Sequence, residues 1–355
     1  MTSKTLPFLL CLLSINIAAQ NEATALTSLR SMLEGQAPQS FKKAVLTVEN
    51  VFLAQPIEEN DWNYAINSMA KLTKSYAKNT VLTGYKGSDS SVVKLSGSLF
   101  KVMTDTVRVI HEKDTLQLMP FQYDFEDIFG SKDWTKMFVS KLLATHKGNC
   151  HSMPYLYKIV CEELSVPCHL SLAPNHIYIK QFAQNVGWFN TELTSGAFPI
   201  DAWLMASGFI SLEAVQKGTY MDTLSQKESI ALCVVDLAKG YQRKYPTSDG
   251  NFIITACDLA LTHYPKCLNA LILKAETLKK QFEQIQKQQN VKQAKDILHL
   301  PEAKTIYTEM NRLYAQIHKL GFRSIPESVY REWLFSLQTQ KDKYQDKKVS
   351  DLRRN

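Results

Sequence analysis

Gly148-Asn149-Cys150-His151-Ser152-Met153-Pro154-Tyr155-Leu156-Tyr157-Lys158-Ile159-Val160 is the stretch on which the fold turns. Gly148-Asn149 breaks the helical pattern of 134–143 that precedes it. From Cys150 onward, Met153, Leu156, Tyr157, Val160 and Leu164 recur at three- and four-residue steps and share one helical face. Pro154 then falls in the first turn, where its missing N–H is no loss. Cys150 therefore stands at or beside a helix N-terminus. The helix ends near Ser165, because Val166-Pro167 disfavours continuation.

Downstream, 168–173 and 176–180 alternate as strands do, and 186–192 follows across a polar loop. Taking 181–187 as that loop centres a hairpin on Gln184. It sets Lys180 against Trp188, Tyr178 against Asn190 and His176 against Glu192. Opposed residues of an antiparallel pair share a face, with Cβ atoms about 5 Å apart. A bulge would shift the register by one and bring Asn190 or a neighbour into play.

These residue types in this order suit nucleophilic catalysis. The thiolate is the nucleophile, and unpaired N–H groups at a helix start lower a thiol pKa. An imidazole lowers it further and can protonate a leaving amine. A third group holds the imidazole's tautomer. Cys150, His176 and Glu192 supply the three parts, and helix-start N–H groups, that of Cys150 included, would stabilise an oxyanion.

Gly148-Asn149-Cys150-His151-Ser152, Pro174-Asn175-His176-Ile177-Tyr178-Ile179 and Trp188-Phe189-Asn190-Thr191-Glu192 together resemble the transglutaminase-like superfamily over about 124–224. That resemblance implies an α+β, papain-like core with cysteine, histidine and acid in this chain order. It implies thioester acyl chemistry on peptide or protein amides, by hydrolysis or transfer, with no cofactor and no metal. Glu192 departs from the family's usual aspartate, which leaves Asn190 and Asp201 as alternatives for the third position. Asp201 also suits a helix cap.

Working outward, 21–120 reads as a mostly helical region, with apolar periodicity in 41–52 and 62–76 and a Gly/Ser-rich loop at 86–98. The core is expected at 121–226. Beyond it, 227–340 reads as helices throughout. Around 258–275, small residues and a closing proline resemble the helix-turn-helix unit of tetratricopeptide repeats, so an all-α helical-repeat module is expected. Residues 341–355 carry six Lys/Arg against three Asp and read as a solvated basic tail.

At the other end, Lys4, the apolar run 6–13 and the small residues at 18–19 read as a signal peptide over 1–20. Export to a periplasm or the extracellular space is the expectation. Hydrophobic residues at 45% and charged residues at 21% are enough for a sizeable core. The net charge of +7 is modest for 355 residues, and no aromatics interleave with basic residues as a nucleic-acid groove requires. No later segment approaches the roughly 20 apolar residues of a membrane helix. Six cysteines remain beyond the signal, without a CxxC pair, and His146, Cys150 and His151 lack further metal ligands. The expected partners are a peptide or protein substrate and a protein held on the C-terminal helices. The alternative is a catalytically silent scaffold that binds a protein through those helices.

Overall fold

The helix Ser152–Leu164 is buried on nearly every side, from Ser152 through Cys161. That is more than the single apolar face read from its spacing, and it marks a central helix rather than a surface one. A computed structural model describes residues 21–111 and 114–352 of the chain. The expected signal peptide at 1–20 lies outside them. The fold is mixed α+β and mostly helical, 60% helix against 9% strand.

In chain order the first half forms α1 (21–33), α2 (Phe41–Phe52), α3 (Glu59–Lys78), α4 (Ser90–Thr104), strands β1 (Val107–His111), β2 (Asp114–Leu118) and β3 (Gln122–Tyr123), then α5 (Val139–Thr145) and β4 (Lys147–Gly148). The central helix is α6. It is followed by β5 (His169–Ala173), β6 (His176–Ala183) and β7 (Gly187–Thr191), then the short helices α7 (Asp201–Ser207) and α8 (Leu212–Gln216). Four long helices come next, α9 (Gln226–Lys244), α10 (Asn251–His263), α11 (Leu268–Gln288) and α12 (Pro301–Lys319). The chain closes with α13 (Glu327–Thr339), α14 (Lys341–Tyr344) and α15 (Lys347–Leu352).

The chain divides into two units that are not linear in sequence. One joins the described residues up to Ile57 to Gln226–Leu320; the other joins Glu58–Ser225 to the described residues from Gly321 onward. The grouping thus differs from the linear segments 21–120, 121–226, 227–340 and 341–355 expected from composition. In the first unit α9 to α12 pack in succession and α2 lies against α9. Lys274 on α11 ties three helices together, with Nζ 2.7 Å from Asp258 and 2.8 Å from Glu309. A lysine this buried is tolerated because both carboxylates neutralise it.

In the second unit α3, α4 and α5 surround α6 together with β5 and β6. The stretch expected as a loop at 86–98 is instead largely the helix α4. Its small residues Ser96, Gly97 and Ser98 are buried at packing positions. Glycine costs a helix about 1 kcal/mol, which burial of Leu99, Phe100 and Met103 offsets. Composition suggested a loop; close helix packing is the physical reason for it. The basic tail is also not a free end. Ile200 N–H donates to Tyr344 O at 3.2 Å, Asp346 N–H to Phe198 O at 2.7 Å, and Val349 is buried.

The three-stranded sheet is an antiparallel meander, β5-β6-β7. Pro174-Asn175 forms the first turn, with Asn175 at φ 59°, as a type II turn requires at its second central residue. His176 therefore opens β6, paired to Ala173. On the other side Lys180 pairs with Asn190 and Phe182 with Trp188. The loop is shorter than 181–187, and the register is displaced by two residues from the expected one. A displacement of two preserves the face, so His176 and Glu192 still look the same way, as diagonal neighbours.

Candidate functional site

Cys150 lies two residues before the first residue of α6, and Asn149 builds the turn that holds it. The Asn149 Oδ1 accepts the N–H groups of His151 at 3.0 Å and Ser152 at 3.2 Å. Gly148 lets this turn close, since a Cβ there would stand 2.5 Å from Ser152 Oγ and 2.8 Å from Leu142 Cδ1. Pro154 sits at the third helical position, still among the N–H groups without an intrahelical partner. His151 turns away from the cysteine: its Nδ1 lies 2.8 Å from Met137 O and its ring packs on Tyr155.

The structure brings the three expected residues together. His176 Nε2 and Glu192 Oε2 are 2.6 Å apart, and the second carboxylate oxygen, Oε1, accepts the Thr194 N–H at 2.8 Å. Glu192 is fixed by a two-bond bridge to Ala197 just past β7. Cys150, His176 and Glu192 are 5%, 2% and 1% exposed. The alternatives for the third position point elsewhere: Asn190 Nδ2 donates to Asp201 Oδ1 at 2.7 Å and to Pro199 O at 2.9 Å.

Two residues absent from the sequence-based site complete it. Tyr330 on α13 places its hydroxyl 3.2 Å from Cys150 Sγ and 3.1 Å from His176 Nδ1. Its ring stacks on Phe129 at 5.2 Å. Trp333, one turn on, meets the His176 ring edge-on at 4.8 Å and donates from Nε1 to Ser207 Oγ at 3.0 Å. Arg331 anchors the same helix by donating to Phe125 O at 3.1 Å. In the sequence Tyr330, Trp333, Leu334 and Leu337 show only a buried helical face; no local signal ties them to a cysteine 180 residues earlier. Tyr123, on β3, is the second, and its buried hydroxyl makes no hydrogen bond of ordinary geometry but lies beside Cys150.

Charge decides the state of the pair. Burial pushes the Cys150 thiol up, but the His176 imidazole, with the Tyr330 and Tyr123 hydroxyls behind it, outweighs burial and holds the thiol below its ordinary value. Burial pulls the His176 imidazole down, yet the Glu192 carboxylate and the Cys150 sulfur raise it to about 10. Opposite shifts in two adjacent groups favour an imidazolium facing a thiolate. In that state His176 Nδ1–H donates to the Tyr330 hydroxyl, whose own O–H donates to the sulfur. Burial and the Cys150 charge keep the proton on Tyr330.

The five other described cysteines are buried, as is Cys150. Burial pushes the thiols of Cys257 and Cys267 up with nothing to outweigh it, so their net shift is opposite to that of Cys150. Among the described residues no group of three His, Cys, Asp or Glu is placed to hold a metal ion, and no helix is long and apolar enough to cross a membrane.

No family model matches the chain, and no curated protein matches it. Among solved structures, the chain is similar to menin, in the crystal structure that reveals the binding site for Mixed Lineage Leukemia (MLL) protein. The TM-score is 0.33 and the identity 10%, over 94% of this chain and 94% of that one.

Proposed function

We propose that this protein is a cysteine-dependent acyl enzyme of the transglutaminase-like, papain-like kind, exported and acting on peptide or protein amides. The observation that carries the proposal is the buried His176–Glu192 contact of 2.6 Å beside a cysteine whose thiol is held below its ordinary value. Cys150 attacks the acyl carbon, His176 gives a proton to the departing amine, and water or a second amine resolves the thioester. Glu192 holds the imidazole by Nε2 so that Nδ1 faces the sulfur. Tyr330 covers the sulfur, so an acyl group has to displace it to reach Cys150. The test is intact-mass spectrometry after incubation with an activated acyl ester and then with a carboxamide peptide. An acyl adduct on Cys150, absent from Cys150→Ala, is expected; an unmodified Cys150 with both would contradict the proposal.

A second reading is favoured by one observation, the depth of the site. With Cys150 only 5% exposed beneath Tyr330, the same core would serve as a silent scaffold that binds a protein through its C-terminal helices. In that case Cys150→Ala leaves the protein's function intact.

A further inference from the structure

An oxyanion formed at Cys150 needs donors, and the helix start has few to spare. Asn149 Oδ1 has taken the His151 and Ser152 N–H groups, and Met153 N–H donates to Asn149 O at 3.1 Å. Of the helix-start N–H groups considered in the sequence, this leaves that of Cys150 itself. One donor is short of the two or more that an oxyanion hole presents.

Tyr123 brings a hydroxyl to the same turn. Tyr123 pairs in parallel with Gly148, two residues before Cys150. The Gln122 N–H donates to His146 O at 2.8 Å and the Asp124 N–H to Gly148 O at 2.7 Å, which locks the strand beside the turn. Its ring packs on Phe125, with centroids 4.7 Å apart. The hydroxyl is buried and makes no hydrogen bond of ordinary geometry, a costly state that a native site retains for a reason. It lies near enough to the sulfur and N–H of Cys150 to feel both, and burial with the Cys150 charge keeps its proton in place. Tyr123 therefore offers an O–H and does not itself ionise.

We propose that Tyr123 is a catalytic residue, whose O–H joins the Cys150 N–H in receiving the oxyanion of the acyl intermediate. The inference rests on the cysteine chemistry proposed above. A sulfur lone pair forms the S–C bond while the carbonyl π pair moves onto oxygen, and the two donors hydrogen-bond that oxygen. When the C=O re-forms, the leaving group departs with the pair from its own bond to carbon, protonated by His176 if it is an amine. Tyr123 rides on a strand rather than on the helix that carries Tyr330, so its donor stays fixed when Tyr330 is displaced.

Two reactions of Cys150 separate this role from the others. Alkylation by iodoacetamide passes through no oxyanion; acylation by p-nitrophenyl acetate does. Tyr123→Phe keeps the ring on Phe125 and removes only the O–H. The alkylation rate at its high-pH plateau should stay within about twofold of wild type, while acylation falls about 100-fold. Retained alkylation also reports that the site has folded. Equal acylation in the two proteins would overturn the proposal, and so would a parallel loss of both reactions, which places Tyr123 in the fold and not in the chemistry. A wild type that alkylates fast but never acylates overturns it too. Slow wild-type alkylation with an ordinary pH profile overturns the cysteine–histidine reading itself, and this role with it.

Discussion

Replacing Glu192 with glutamine keeps the shape of the side chain and removes its charge. His176 then exchanges a charge-assisted bond of 2.6 Å for a neutral one. Hydrogen bonds to charged groups contribute about 1.5–3 kcal/mol and neutral ones about 0.5–1.5. The difference, about 1–1.5 kcal/mol, is about one pH unit at 1.36 kcal/mol per unit. The imidazole's proton becomes that much easier to lose, so the pH at which the imidazolium deprotonates falls from about 10 by about one unit. A second cost follows from valence. Glu192 accepts at both oxygens, from His176 and from Thr194 N–H, whereas glutamine has one acceptor and one donor. One of the two N–H groups is left facing an NH2, which costs about 1–3 kcal/mol of stability. The assay is an NMR titration of the His176 imidazole from pH 5 to 11, with urea unfolding in parallel. The imidazole midpoint should fall by about one unit, with stability lowered. A profile that coincides with wild type would refute the reasoning, since Glu192 would then not set the state of the pair.

Tyr330→Ala uncovers the sulfur and removes a ring stacked on Phe129, so Cys150 alkylation at its high-pH plateau should accelerate about tenfold or more while stability falls by about 3–5 kcal/mol. An unchanged rate would mean that reagents reach the sulfur by another route. Gly148→Ala forces a Cβ against Ser152 Oγ and Leu142, and should cost about 1–3 kcal/mol in urea unfolding; a neutral effect would show that the turn before Cys150 yields. The pair also shapes stability against pH. His176 has its folded pKa above its ordinary 6.5, so its contribution is full below 6.5 and is lost as pH rises through about 10. Cys150 has its folded pKa below its ordinary 9.0, so its contribution is full above 9.0 and is lost as pH falls through the folded value. Above both 6.5 and the folded Cys150 value, and up to 9.0, the two slopes cancel, because folded and unfolded chains hold the same single proton. The Tm difference between wild type and a Cys150→Ala/His176→Ala double variant should therefore shrink as pH rises from 9.0 towards about 10; a difference that stays level there would contradict the raised imidazole.

What the sequence could carry was local. The α6 periodicity, the Pro154 position and the Pro174-Asn175 turn place Cys150 and His176 from spacings of a few residues. The hairpin is instructive: its register was off by two, yet the period of two kept His176 and Glu192 on one face, and the contact survived the error. A slip of one would have lost it. Composition misled where packing governs, since Ser96-Gly97-Ser98 read as a loop but let α4 press close inside the unit. The basic residues of 341–352 hid the backbone bonds of Tyr344 and Asp346, which no side-chain pattern reports. Tyr330 and Tyr123 reach the cysteine across long sequence separations, and only folding brings them there. Asn149 was read as a helix breaker, when its side chain consumes the N–H groups assigned to an oxyanion.

The central claim is that His176 makes Cys150 a thiolate at neutral pH. The direct measurement is the pH dependence of Cys150 alkylation in wild type and in His176→Ala, with the labelled residue located by mass spectrometry. The account predicts fast labelling of wild type well below pH 9.0, the ordinary value for a thiol, and loss of that low-pH reactivity in His176→Ala. Labelling that follows an ordinary thiol profile in both proteins would contradict it.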